Sequence, residues 1–323
     1  FSIGNFKAIK GDFDNELLNV LYQDSFLIDS LSINRKLALN DVQEFAPSHL
    51  ARISQRQQLQ LNQSFDYIYD SSAAIGIDII IIDTGINKKH PEFTGRVKRI
   101  ANFVRNENQY DDYIGHGSAI AGVIGSETYG VAKKCNFVDI KVTDKNGDTY
   151  LADVLSALNL SLDHAKQTKR PTLVVLAMSL SKNSLLNHAV ENLISNGIPV
   201  VVAAGNKGKP ACHDSPASAK GVLVVGSIND KTDRIAHFSN WGACLDVFAS
   251  GVNVITTGKR NDDITIASGT SISAGIAAGL VASFMAMGDT GLDAVERVKS
   301  YSTKDSISGL YLKPFTPNKL LFN

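Results

Sequence analysis

Five apolar runs decide what this chain can fold into. Residues 75–82, 136–142, 172–179, 198–204 and 222–228 are nearly continuous in Ile, Val and Leu. A strand with one face in water alternates apolar and polar residues, so an unbroken run marks a strand covered on both faces. Between and after these runs, 151–166, 185–195 and 271–287 carry helical patterns. Strands alternating with helices predict a parallel sheet inside a layered α/β domain. Right-handed crossovers then leave active groups at the strand C-terminal ends.

One apolar stretch has to be weighed against a membrane. Residues 264–288 carry no charge, and 25 residues are enough to span a bilayer. Six Ser/Thr and four Gly suit lipid poorly, so the stretch reads as a helix buried on every side in a soluble core, with no membrane span. Lys+Arg and Asp+Glu both number 32 in 323 residues. Neither a nucleic acid nor an anionic membrane is expected as the main partner of so balanced a chain. The 44% hydrophobic content supports a large core and argues against disorder.

Three cysteines, Cys135, Cys212 and Cys244, are too few for a disulfide scaffold; one bridge plus a thiol, or three thiols, both fit. Asn62-Gln63-Ser64 and Asn159-Leu160-Ser161 match the glycosylation acceptor pattern. The chain starts at Phe1, without Met or signal peptide, and is read as a processed or trimmed product. Its first forty residues follow their own pattern. Residues 1–9 read as extended, 12–23 carry Leu17, Leu18 and Leu21 at helical spacing, and 26–33 alternate like a strand. Such a piece is too short for a core of its own. Residues 40–63, with Pro47, read as a polar loop.

Three short segments carry chemistry. Ile79-Ile80-Ile81-Ile82-Asp83-Thr84-Gly85 is a buried strand ending in a carboxylate, which needs a partner there. The bland alternative is a turn Asp. Asp-Thr-Gly is also the aspartic-protease tripeptide, but that mechanism needs two such carboxylates sharing a proton, and with a single Asp-Thr/Ser-Gly copy expected the aspartic reading fails. Gly115-His116-Gly117-Ser118-Ala119-Ile120-Ala121-Gly122 places a histidine where a tightly packed helix begins. It opens like a dinucleotide fingerprint, yet its third glycine falls at 122 and not 120, and a polar run precedes it. Ala267-Ser268-Gly269-Thr270-Ser271 sets a hydroxyl at the start of the apolar helix: a cap, or a nucleophile beside N–H groups that favour negative charge. Ala203-Ala204-Gly205-Asn206 ends a buried strand with an amide, which is most often a turn residue.

Asp, His and Ser in that order, each at an element boundary of one α/β sheet, match the subtilisin arrangement. The sequence resembles the subtilisin-like serine proteases, nearest the proteinase K branch and the fungal cerevisin type. The likeness runs over about 46–300 and rests also on Ala46-Pro47-Ser48-His49-Leu50-Ala51-Arg52-Ile53-Ser54, Tyr129-Gly130-Val131-Ala132-Lys133, Ser215-Pro216-Ala217-Ser218 and Phe238-Ser239-Asn240-Trp241-Gly242. The resemblance implies the subtilisin-like three-layer α/β fold and peptide-bond hydrolysis through an acyl-enzyme. Ser271 would be the nucleophile, His116 the general base and acid, and Asp83 the group orienting the imidazole. Asn206 would donate to the oxyanion with the backbone N–H of Ser271; the known cost of losing such an Asn, about 10²–10³ in turnover, comes from this family.

The same resemblance places the substrate-bordering edges at Gly147 and at Ser179 with Leu180, and adds Ala203 and Gly205. It implies peptide or protein substrates, a monomer, a secretory-route enzyme ending in vacuole, cell wall or medium, and no cofactor. Calcium is common in the family, but no metal is assigned to residues of this chain. Cys212 and Cys244 sit as in fungal relatives, which implies a 212–244 bridge. Residues 1–42 resemble the second half of an inhibitory propeptide, through Gly4-Asn5-Phe6-Lys7 and Gly11-Asp12-Phe13-Asp14, with the catalytic domain at 43–323 and cleavage between Asn34 and Phe45.

The chain departs from the family pattern in places. Ser179-Leu180-Ser181-Lys182 replaces Ser-Leu-Gly-Gly, and Gly147-Asp148-Thr149 replaces Gly-Ser-Gly, so side chains are expected where bare backbone borders the cleft. Gly117-Ser118-Ala119 replaces Gly-Thr-His. Gly275 replaces a proline and is expected to loosen the first turns of the helix. The four chemical groups remain, which favours an active endopeptidase. The altered groove supports the rival: a protein of the same fold that binds peptide or propeptide with little turnover.

Overall fold

The computed structural model describes residues 1–23, 28, 40–60, 63–105, 107 and 112–323. The chain forms two compact units, Phe1–Leu37 and Ala38–Asn323. In the first, β1 (Ser2–Ile3) and β2 (Phe6–Lys7) make an antiparallel hairpin, followed by α1 (Asn15–Gln23). This corrects the single extended segment expected over 1–9: Gly4, at φ +58°, permits the left-handed turn that reverses the chain. The helix also starts later than 12, because the Asp14 carboxylate accepts the Leu17 N–H at 2.8 Å and caps it. Apart from Ile28, which lies in no regular element, the strand expected at 26–33 falls outside the described residues.

In the second unit, β3 (Asn40–Gln43), α2 (Ser48–Ile53) and β4 (Tyr67–Asp70) lead into β5 (Asp78–Asp83). Next come β6 (Val97–Asn102), α3 (His116–Gly125), β7 (Asn136–Lys141), α4 (Leu151–Thr168), β8 (Thr172–Leu176), β9 (Leu180–Ser181), α5 (Ser184–Ser195) and β10 (Val200–Ala203). The chain then forms β11 (Asp214–Ser215), β12 (Leu223–Asn229), β13 (Arg234–Ile235), β14 (Val247–Ser250), β15 (Val254–Thr257) and β16 (Ile264–Ala267). It ends with α6 (Thr270–Ala286), α7 (Gly291–Tyr301), β17 (Thr303–Lys304) and β18 (Lys319–Leu320).

The central sheet has the order β17-β18-β14-β12-β10-β8-β5-β7-β6. Every neighbouring pair from β6 to β18 is parallel, while β17 and β13 join antiparallel. The fold is α/β. The four isoleucines of β5 explain the unbroken runs: Ile79 and Ile81 enter the core containing α3, α6 and α7, while Ile80 and Ile82 enter the core containing α4 and α5. Strand geometry sends successive side chains to opposite faces, and here both faces are dry.

The polar loop expected over 40–63 is also corrected, since it contains β3 and α2. Its polarity misleads because the polar groups are paired. Arg52 is buried and forms a two-pronged ion pair with Asp233 at 2.8 and 2.9 Å, and β3 pairs with β4. The uncharged stretch 264–288 divides into β16, in a hairpin with β15, and α6, which is buried from Thr270 to Met285. Among the described residues, no single helix is long and apolar enough to cross a membrane. Gly275 lies inside an unbroken α6, and it lets α6 touch α3. A Cβ there would stand 2.7 Å from Val123 Cγ2 and 3.3 Å from the Ile120 carbonyl oxygen.

Candidate active site

The parallel strands end on one edge of the sheet, and the site residues collect there. Asp83 is the last residue of β5, only 2% exposed, so its charge must be matched locally. The Thr84 N–H donates to Oδ1 at 2.7 Å, and His116 Nδ1 donates to Oδ1 and Oδ2 at 2.8 and 2.9 Å. His116 opens α3 after Gly115, whose φ of +96° only glycine adopts readily. Gly117 matters for the same approach, because a Cβ on it would collide with the Gly85 carbonyl oxygen. The Asp83 charge raises the His116 pKa above 6.5, outweighing the burial that would lower it.

Ser271 is the second residue of α6 and 8% exposed. Its Oγ donates to the Ala177 carbonyl oxygen at 3.0 Å and makes no hydrogen bond to His116. Such contacts are often open in ligand-free enzymes and close in the substrate complex. In the first turn of a helix the backbone N–H groups lack intrahelical acceptors, so the Ser271 amide stands beside its own hydroxyl as a free donor. Asn206 follows β10 and Gly205. Its Oδ1 accepts the Thr270 N–H and the Thr270 hydroxyl, both at 2.9 Å. That leaves the Asn206 Nδ2 hydrogens unbonded among the described residues, close to the start of α6.

The remaining predicted positions border the same edge. Gly147, at φ +92°, sits in a turn held by Asp144, and a Cβ on it would lie 3.9 Å from Ile114, two residues before His116. Ser179 and Leu180 are exposed just beyond β8, and Leu180 pairs with Ser215 as β9 meets β11. Ala203 ends β10, and Gly205, at φ +103°, follows it. Asp148, Ser181 and Lys182 are exposed.

Several positioning groups carried no role in the sequence reading. The buried Asp112 carboxylate accepts the Thr84 hydroxyl and the N–H groups of Ile114, Gly115 and Ser118, and the Thr84 hydroxyl accepts the Gly117 N–H. An Asp followed within three residues by Gly is a turn signal, and that signal was available at Asp112. Lys141, paired in register with Asp83 and fully buried, donates to the Thr84 and Thr143 carbonyl oxygens at 2.7 Å each. Its apolar strand gave no hint of that.

Asp-Thr-Gly recurs at Asp289-Thr290-Gly291, so the expectation of a single copy needs correcting. The second copy caps α7 through Thr290, and Asp289 pairs with Arg297. It lines a cavity with Pro171, Thr172 and Ile198, at the opposite ends of β8 and β10 from the site, so the two carboxylates cannot share a proton. Cys212 and Cys244 form a disulfide, and Cys135 is a buried free thiol. Asn159 is exposed on α4, but Ser161 of its acceptor pattern is buried; Asn62 lies outside the described residues. Among the described residues no three His, Cys, Asp or Glu side chains gather as a metal site.

The model of the subtilase family, peptidase S8, matches residues 74–303. The chain belongs to the subtilase family. It is 34% identical to subtilase-type proteinase RRT12 of Saccharomyces cerevisiae over all of this chain and 75% of that protein. Cerevisin of the same yeast is also 34% identical, over all of this chain and 54% of its own length. The crystal structure of a cold-adapted subtilisin-like serine proteinase superposes with a TM-score of 0.77 at 32% identity, covering 86% of this chain and 98% of that one. As a subtilase the chain is a serine endopeptidase, a hydrolase whose substrates are peptides or proteins.

Proposed function

We propose that this subtilase cleaves peptide bonds through an acyl-enzyme on Ser271. His116 takes the Ser271 proton and passes it to the leaving amine. Asp83 fixes the ring so that Nε2 faces the hydroxyl, and stabilises the imidazolium that forms. Asn206 Nδ2 and the Ser271 N–H receive the oxyanion, with the positive end of the α6 dipole behind them. Water, deprotonated by His116, then attacks the acyl–Ser271 ester; the acid leaves and the proton returns to the Ser271 oxygen. The observation that carries the reading is the His116 Nδ1 bond to both oxygens of a carboxylate buried at a strand end. A peptide would lie extended between the edges at Gly147 and at Ser179 and Leu180, with Ala203 and Gly205 lining the pocket between.

The reading extends to residues 1–42 as part of an inhibitory propeptide, to synthesis as a zymogen on the secretory route, and to action as a monomer. Fluorophosphonate labelling tests both levels, comparing the chain with Ser271→Ala and with a chain lacking 1–42. Labelling that requires Ser271 and rises once 1–42 are removed is expected. Strong labelling of the whole chain, unchanged by the deletion, would remove the inhibitory role.

A second reading has its own observation. The Ser271 hydroxyl is spent on the Ala177 carbonyl, and Ser181, Lys182 and Asp148 stand exposed along the groove. If those exposed side chains border the proposed groove, the features suit a protein that holds peptide with little turnover, and no labelling of either folded chain would favour it.

A further inference from the structure

Asn206 is exposed, and its own side chain is anchored only at Oδ1, through Thr270. Something must hold the backbone on either side of it if Nδ2 is to point in one direction. That something is Asn240. It is fully buried, and among the described residues it makes no hydrogen bond to the Asn206 side chain. Its backbone N–H donates to the Gly205 carbonyl oxygen at 2.9 Å, and its Nδ2 donates to the Ala204 carbonyl oxygen at 2.8 Å. Its Oδ1 accepts the N–H groups of Lys207 and Lys209 at 3.0 and 3.1 Å. One side chain therefore brackets residue 206 from both directions.

The amide cannot be turned round. Nδ2 also faces Asp214 Oδ2 at 3.3 Å, so both groups on its side are acceptors, while both groups on the Oδ1 side are donors. Asp214 is itself buried and neutralised by Lys209 Nζ at 2.8 Å. Gly205 completes the fit, because a Cβ there would collide with Asn240 Nδ2. Every donor and acceptor of this amide is used, and all but one of its bonds end on the loop that carries Asn206.

We propose that Asn240 is the positioning residue that aims Asn206 Nδ2 at the developing oxyanion, with Asp214 fixing the orientation of the Asn240 amide. The inference rests on the reading of Asn206 as an oxyanion donor. A residue that acts through Asn206 has no effect on turnover once the Asn206 amide is gone, and that property separates positioning from general structural support.

The experiment is a double-mutant cycle in steady-state peptide hydrolysis, with thermal melts of each protein. Asn206→Ala is expected to lower kcat by about 10²–10³. Asn240→Ala is expected to lower kcat about tenfold or more with KM within about twofold, and to cost less than about twofold when Asn206 is already Ala. An equal loss in both backgrounds, or a fall in melting temperature with kcat unchanged, overturns the positioning role alone. An Asn206→Ala enzyme with wild-type kcat overturns the oxyanion reading and this inference together. Should Asn240→Ala melt below the assay temperature, Asp214→Asn takes its place. It is expected to cost about 3–10-fold in kcat only where Asn206 is intact, and an equal cost in both backgrounds again overturns the role.

Discussion

The Asp112 carboxylate accepts the Thr84 hydroxyl at 2.8 Å, and the same hydroxyl accepts the Gly117 N–H at 2.9 Å. Two turns that carry Asp83 and His116 are thereby tied together by a pair of residues 28 positions apart. Replacing Asp112 by Asn puts a donor where N–H and O–H groups already point. Asp112→Asn is expected to destabilise the fold by about 2 kcal/mol and to lower kcat about tenfold. Urea melts with peptide kinetics check it; wild-type values for both would show that the network positions nothing.

In the proposed mechanism the Asp83–His116 pair sets the pH dependence. A raised pKa means that the neutral imidazole, the form able to act as base, is lost at a higher pH than for a free histidine. Activity should therefore rise with pH through a midpoint above 6.5. Asp83→Asn removes the charge that raises it, so the midpoint should fall while kcat drops by about 10⁴ through loss of the correct tautomer. A pH profile of kcat/KM with the same midpoint in both enzymes would contradict this assignment.

His49 predicts a separate acid sensitivity. Burial lowers its pKa from 6.5 to about 4, with Nε2 donating to the Tyr129 carbonyl and Nδ1 unpartnered. The unfolded chain takes up a proton near 6.5, whereas the folded one resists until about 4. Stability contributed by neutral burial is complete above the upper value and is lost as pH falls through this window, by about 3 kcal/mol in all. His49→Gln should flatten that limb of a stability-against-pH curve. Parallel curves for the two proteins would remove His49 as the cause.

The Cys212–Cys244 bridge closes a loop of sequence separation 32, next to the chain that carries Asn206. Chain entropy gives it roughly 3–4 kcal/mol of stabilisation. Replacing both cysteines by Ser should lower stability by that order in denaturant melts. Thiol counting adds a second check. Burial pushes Cys135 up to about 12, so the native protein should show no reactive thiol, and the unfolded unreduced protein one.

Ser181 and Lys182 are exposed next to Leu180, at the edge proposed to border bound peptide. Replacing both by Gly restores bare backbone there, and kcat/KM on a mixed-sequence peptide library should rise about 3–10-fold as more side chains are accepted. An unchanged cleavage profile would mean that these residues do not border bound peptide.

The sequence by itself determined the layered α/β fold, the central strands and the boundaries where Asp83, His116, Asn206 and Ser271 sit. Those features are local. An Ile run reports burial on both strand faces, and a strand end or helix start is written in a few adjacent residues. Tertiary structure decided the rest. Arg52 looks like a loop residue until Asp233, 181 positions away, buries its charge and with it α2. Gly275 looks like a flaw in a helix until Val123 fills the space beside it. Asn240 and Asp112 look like turn residues until distant segments reach them: the loop after β10 for Asn240, and Thr84 for Asp112. A hydrogen bond between distant segments leaves no periodicity in either one, so only the folded chain shows which polar residues hold the site in place.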